Sequence, residues 1–325
     1  MYLGILLVIE RACFIYRNSP LSLTMLNRNA VRNWWDLSRG GNILFGITTV
    51  TLGAFMMGVD YQENIVTLAL HSFCIAAFIA SWFSINDLLD IEVDRINHPN
   101  RPLPSENISK ESARKYGHRM MILSGVGLVA IILNDEKGIE GLAWVDSVIV
   151  WLMALLLMII YELDGKPFNP SLKKRMFWGN LTIAGTISIT ILFGAAAINH
   201  ATNPLLWLVA ASAMALTTAR EICMDSNDRF GDYDRTTLPR VIGLQKTRKT
   251  VWILAVAAAL LMLLPFAFKL LPSNMILLIL PAIVCIISSK PFLTRGSDAE
   301  AAEVLRAGMV FGLVGLALCG MIINR

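Results

Sequence analysis

The string IVTLALHSFCIAAFIASWFSI, residues 65–85, carries no Lys, Arg, Asp or Glu and runs directly into NDLLDIEVDRINHPNRPLPSENIS, residues 86–109. The first string is about 20 residues long, enough for an α-helix to cross the roughly 30 Å of hydrocarbon in a bilayer. Such a helix satisfies its backbone internally, so an apolar run of this length reads as a membrane span. The second string leaves the apolar phase abruptly. It places Asp87, Asp90 and Asp94 at spacings of three and four, on one face of the helix if the helix continues, with Asn86 adjoining Asp90 at i+4.

Apolar runs of the same kind recur at 43–58, 117–133, 147–161, 181–198, 205–219, 251–268, 275–289 and 305–323. The 325-residue chain is 55% apolar and 16% charged, where soluble domains average about 45–50% and about 25%. An ordinary soluble domain is excluded. The expected fold is all-α: a polytopic membrane protein with nine transmembrane helices in residues 43–325, preceded by a cytoplasmic lead-in over residues 1–42. The apolar start of that lead-in is interrupted by Glu10 and Arg11 and lacks the order of a cleavable signal. Trp34 and Trp35, close to Arg32, suit the headgroup level.

The net charge of +4 forms no single basic face with interleaved aromatics, so nucleic acid is not an expected partner. Apart from Lys137, Lys269 and Arg325, every Lys and Arg falls before the first span, in alternate connections after it, or in the first turn of the span that follows such a connection. Basic residues stay on the cytoplasmic side of short loops. The amino terminus and both acidic motifs are therefore expected at the cytoplasmic face of the cell membrane, and the carboxyl terminus outside. The opposite connections hold Asp60, Glu63, Asp135, Glu136, Glu140 and Asp146. Five cysteines form no C-x-x-C pair, which argues against a disulfide framework or a zinc site.

The sixth apolar run ends in REICMDSNDRFGDYDRTTLPRVIG, residues 220–243, where Asp225, Asp228 and Asp232 repeat the spacing of the first motif. Each copy then meets proline, Pro102 and Pro104 in one and Pro239 in the other, which turns the chain. The halves look like a duplicated unit. Carboxylates side by side on a helix repel one another unless a cation or proton intervenes. Mg²⁺ suits the pattern, because it takes one or two carboxylates and fills its octahedron with water and phosphate oxygens. A solvated acidic helix end is the plain alternative for one such motif. Two matched copies, flanked by Asn86, Arg95, Arg101, Arg220 and Arg240, favour two acidic clusters sharing Mg²⁺ with a diphosphate.

These motifs resemble those of the UbiA superfamily of intramembrane prenyltransferases, whose pattern is N-D-x-x-D-x-x-x-D after the second helix and D-x-x-x-D after the sixth. This chain reads Asn86-Asp87-Leu88-Leu89-Asp90-Ile91-Glu92-Val93-Asp94 and Asp228-Arg229-Phe230-Gly231-Asp232. Arg39 and Asn42 keep the register of a family motif at the first helix, without its proline. Tyr161, Leu172-Lys173 and Gly179-Asn180 are similar to family positions between the fourth and fifth helices, with 164–171 reading as an insertion. Within the superfamily, residues 94–105 and the Arg220-Glu221 to Pro239 segment most resemble the archaeal-type digeranylgeranylglyceryl phosphate synthases. Glu106-Asn107 stands where those enzymes commonly have Gly-Arg.

The resemblance implies a UbiA-like helical bundle and Mg²⁺ held by Asn86, Asp87, Asp90, Asp94, Asp225, Asp228 and Asp232. Asp90, Asp94, Asp228 and Asp232 would be central to catalysis, and Asn42, Arg95, Arg101, Lys173 and Arg220 would contact the diphosphate. It implies a polyprenyl diphosphate donor, geranylgeranyl in type, and a lipid acceptor, geranylgeranylglyceryl phosphate, both drawn from among membrane lipids. An aromatic acceptor of quinone or chlorophyll type, or a terpene cyclase using the donor alone, would share the metal site. A transporter would need ionisable residues inside the spans, and Lys, Arg, Asp and Glu are absent from the interiors of all nine apolar runs. His98, in a proline-rich turn, and His118, beside a basic helix start, are set aside as general bases.

Overall fold

The computed structural model describes residues 20–135, 142–164, 170–229 and 235–323, and among these there is no β-strand. Among the described residues eight helices are long and apolar enough to cross a membrane, and a shorter apolar helix, Gly40–Met56, stands where the first span is expected. At 1.5 Å per residue its 17 residues reach about 26 Å, near the lower limit for a span. The order is thus first span Gly40–Met56, second Tyr61–Leu89, third Lys110–Asn134 and fourth Val145–Glu162. The fifth, Met176–Ser188, continues as Thr190–Ala196; then come the sixth, Pro204–Asp228, and the seventh, Leu244–Ala267. The eighth opens as a 3₁₀ turn, Ser273–Ile279, before Leu280–Arg295, and the ninth is Asp298–Ile323. Every apolar run found in the sequence lies on one of these helices.

The two motif-bearing helices start from deliberate caps at the face opposite the motifs. Asp60 accepts from the backbone N–H of Gln62 at 2.8 Å, and Asn203 accepts from that of Leu205 at 2.9 Å with Pro204 at the first helical position. Each then packs along the helix that follows it, second on third and sixth on seventh, so the two halves repeat one arrangement. The first and fifth spans cross closely. A Cβ on Gly194 would strike the backbone of Val50, one on Gly53 would strike that of Ile191, and Thr49 and Thr190 hydroxyls hydrogen-bond at 2.8 Å beside the crossing.

Val50, Phe78, Phe193, Leu206 and Met262 belong to the main buried core. A second core, containing Leu216, Ile222, Val251, Ile286 and Leu305, lies toward the motif end of spans six to nine. A third, with Leu37, Ile91, Leu103, Ile108 and Ala113, anchors the segment after the first motif. Outward faces carry Ile122, Leu133, Leu156, Ile253, Leu260, Val284 and Val314, all exposed. Lipid, which is as apolar as these side chains, is the environment that such a surface fits.

One local expectation is corrected. The first motif is not one straight helix: the second span ends at Leu89 and a short helix, Ile91–Asn97, begins beyond Asp90, whose φ of −95° and ψ of 7° bend the axis. Hydrogen bonds nonetheless run through the bend, Asp90 N–H to Asn86 O at 2.9 Å and Asp94 N–H to Asp90 O at 2.8 Å, so the register survives. Trp34, on the helix Pro20–Leu37, is half-buried against the Tyr116 ring at a centroid distance of 5.0 Å, whereas Trp35 is exposed. Cys74, Cys223 and Cys319 are buried and unpaired, as small packing residues.

Candidate active site

The ends of the second and sixth spans converge. Asp87 is fully buried, receives the Arg39 guanidinium at 3.0 Å and lies 3.8 Å from Arg101. Arg101, returning through the proline turn, also binds Asp94 at 2.5 Å, whose side chain is 6% exposed. Asp90 receives Lys173 at 2.5 Å, Arg235 at 2.9 Å and the Asn86 amide at 3.1 Å. From the second motif, Asp228 faces the imidazole of His98 at 3.6 Å, and Asp225 accepts from the Asn180 amide at 2.9 Å. Each motif is therefore tied to the other half of the chain, by Arg235 reaching Asp90 and by His98 reaching Asp228.

The connection between the fourth and fifth spans closes over this junction. Thr236 N–H donates to Lys174 O at 3.2 Å, and Arg175 bridges Thr236 in a single parallel β-bridge, which aligns the segments carrying Lys173 and Arg235. Ser171, with φ of 30°, sits in the left-handed region as the chain enters the Leu172–Lys174 turn. Glu162, at the last turn of the fourth span, binds both Lys173 at 2.8 Å and Asn86 at 2.6 Å.

The remaining sequence-expected residues divide. Arg220 lies one residue from Glu221 and binds it at 2.6 Å, with its Nε buried and unpartnered. Arg95 is half-exposed, pairing with Glu92 at 3.0 Å and lying 4.0 Å from Glu106. Asn42 is exposed on the first turn of its helix, while Arg39, three residues earlier, touches the motif. Arg240 donates to the carbonyl of Arg235 at 3.2 Å. Asp232 lies outside the described residues. Sequence reading missed Glu162 and Arg235 as site members, noted Asn180 only as part of a family-like Gly-Asn pair, and set His98 aside as a general base. Arg39 was noted for its register, but not as a partner of Asp87. No linear spacing joins these residues to the motifs, since their partners are 45 to 145 residues away.

Do these residues suit a divalent cation? Among the described residues no three acidic, His or Cys side chains close into a cage. Mg²⁺ does not require one when phosphate and water complete its shell. Asp87 Oδ2 and Asn180 Oδ1 are among the buried side-chain oxygens that lack a hydrogen-bond partner, the latter on the amide that holds Asp225. An unpartnered buried oxygen costs about 1–3 kcal/mol, more for a carboxylate, and both are hard donors of the type Mg²⁺ prefers. The set fits. It also supplies Arg39, Arg101, Lys173, Arg220 and Arg235, cations that suit the other half of a metal diphosphate.

Deeper in the bundle an apolar cavity is lined by Phe45, Leu52, Ile187, Leu216, Met309 and Leu313 among others. Thr217, also on its wall, is eight residues before Asp225 on the same helix, or about 12 Å along the axis. A polar junction of carboxylates and cations thus stands at one end of an apolar chamber within the membrane.

A membrane bundle with paired acidic motifs over such a chamber is the architecture of an intramembrane prenyltransferase. The family model for the UbiA prenyltransferase family matches residues 47–314, and the chain belongs to that family. The digeranylgeranylglyceryl phosphate synthase of Methanosphaera stadtmanae is 29% identical, covering 87% of this chain and 97% of its own. That of Methanoculleus marisnigri is 30% identical, covering 76% and 85%. Among solved structures, one concerning digeranylgeranylglyceryl phosphate synthase in membranes has a TM-score of 0.67 at 23% identity, over 90% of this chain and 99% of that one. A UbiA homolog from Archaeoglobus fulgidus bound to GPP and Mg²⁺ has a TM-score of 0.60 at 16% identity, over 89% and 99%.

Proposed function

We propose that this chain transfers a polyprenyl group, geranylgeranyl in type, from its diphosphate to a lipid acceptor, geranylgeranylglyceryl phosphate, in ether-lipid synthesis. The observation that carries the reading is the meeting of the two acidic motifs, through His98–Asp228 and Arg235–Asp90, above an apolar chamber. The names of the relatives support the substrates. The distribution of Lys and Arg supports a cytoplasmic site in a cell-membrane protein, with residues 1–42 as a cytoplasmic lead-in.

Asn86, Asp87, Asp90, Asp94, Asp225 and Asp228, with Asp232 from the sequence, would hold Mg²⁺. The ion supplies Lewis-acid stabilisation of the departing diphosphate. Arg101, Lys173, Arg220 and Arg235 bind phosphate oxygens and steady the negative charge that builds as the allylic C–O bond breaks. The acceptor hydroxyl oxygen forms the new C–O ether bond to that carbon, and its proton leaves to a carboxylate or to the released diphosphate. The chamber wall excludes water that would otherwise capture the allylic carbon.

The test is a panel of C10, C15 and C20 prenyl diphosphates against glyceryl phosphate lipids and phenolic acceptors, with product mass as readout. The expected product is the doubly prenylated glyceryl phosphate from the C20 donor. Prenylated phenol would assign the aromatic alternative, and a hydrocarbon from donor alone would assign a cyclase.

A further inference from the structure

Glu162 has no role in the motifs and stands at the very end of the fourth span, yet its side chain is only 10% exposed. Its carboxylate accepts from Lys173 Nζ at 2.8 and 3.1 Å and from Asn86 Nδ2 at 2.6 Å. Asp90 accepts from the same two donors. Lys173 and Asn86 are thus both clamped between Glu162 and Asp90, in a four-member ring drawn from three segments of the chain.

The ring fixes how Asn86 is presented. Both neighbours are carboxylates, which only accept, so the amide nitrogen and not the oxygen must face them. With both N–H groups committed, the Asn86 side chain can offer a third party only its carbonyl oxygen, a neutral hard donor. Without Glu162 the amide keeps one anchor and can turn over. Lys173 would also lose the fork that sets its ammonium beside Asp90.

We propose that Glu162 is a positioning residue: it orients the Asn86 carbonyl oxygen toward the divalent cation and holds Lys173 for the diphosphate. This rests on the prenyl diphosphate reading. Partners that orient metal ligands typically contribute 10–100-fold to metal affinity, so Glu162→Ala should raise the Mg²⁺ concentration that half-saturates binding by about that factor. The readout is calorimetric binding of inorganic pyrophosphate to the full-length protein in detergent across a Mg²⁺ series.

Asn86→Asp should weaken binding too, because it sets a carboxylate 2.6 Å from Glu162. Combining it with Glu162→Gln returns an N–H donor to that contact and should recover part of the lost binding, the new carboxylate still facing Asp90 at 3.1 Å, a recovery that a merely structural role does not predict. Asp164→Asn, which removes the charge of the half-exposed Lys174 pair outside the ring, should leave the Mg²⁺ dependence unchanged. Mg²⁺-dependent binding that survives Glu162→Ala undiminished, or a double variant no better than Asn86→Asp alone, would overturn the proposal. Absence of Mg²⁺-dependent binding in the unsubstituted protein would instead remove the prenyl diphosphate reading on which it stands.

Discussion

Replacing Arg101 with Ala tests whether the first motif is held by charge pairing or only by its helix. Arg101 is the shared partner of Asp94, at 2.5 Å and 6% exposed, and of Asp87, at 3.8 Å and fully buried. Asp87 retains Arg39 at 3.0 Å, so the uncompensated charge left behind belongs chiefly to Asp94. Breaking a buried pair by removing one partner costs about 3–5 kcal/mol. For a chain of this size each kcal/mol moves the melting midpoint by roughly 2 °C, so the expected drop is roughly 6–10 °C in detergent. Asp94→Asn in the Arg101→Ala background removes the orphaned charge and should recover at least half of that drop, giving a non-additive double-mutant cycle. Melting of Arg101→Ala within 2 °C (roughly 1 kcal/mol) of the unsubstituted protein, or strict additivity of the two changes, would refute the reasoning.

Asp90→Ala and Asp228→Ala should each abolish prenyl transfer while the protein still elutes as a folded species; EDTA should do the same to the unsubstituted protein, reversibly with Mg²⁺. Cysteines placed at the exposed Asn107 and Gln245 should react with an impermeant maleimide only from the cytoplasmic side, and labelling from outside would invert the orientation. Ala213→Phe puts a ring on the chamber wall and should shift donor preference from C20 toward C10, read as the ratio of kcat/KM values; an unchanged ratio would place the prenyl chain elsewhere.

Much of the architecture was legible because lipid imposes a simple rule: an apolar run of sufficient length must become a helix. All nine runs did so, and of the three carboxylates that the i, i+3, i+7 spacing sets on one face, Asp87 and Asp94 are buried and Asp90 is half-buried. The bend at Asp90 was not legible, since the hydrogen-bond ladder continues through it and no Gly or Pro marks the place. The partners of the carboxylates were hidden for another reason. Arg235 reaches Asp90 across 145 residues and Glu162 reaches Asn86 across 76. Such meetings are decided by how the bundle closes, not by any local pattern. His98 illustrates the point, being an unremarkable residue before a proline until the sixth span brings Asp228 to it.

The second helix has 29 residues, so at 1.5 Å each it extends about 44 Å, some 14 Å beyond the oily layer it crosses. The charge-free stretch 65–85 takes up about 32 Å of that length, so the acidic end begins where the hydrocarbon gives way to headgroups, rather than out in bulk water or down among the acyl tails. An amphiphile can meet Asp90 with its charged end while its chains stay immersed. Reactants of that kind could be collected from one leaflet and the product released to the same leaflet, with no charged group ever dragged through the membrane's centre.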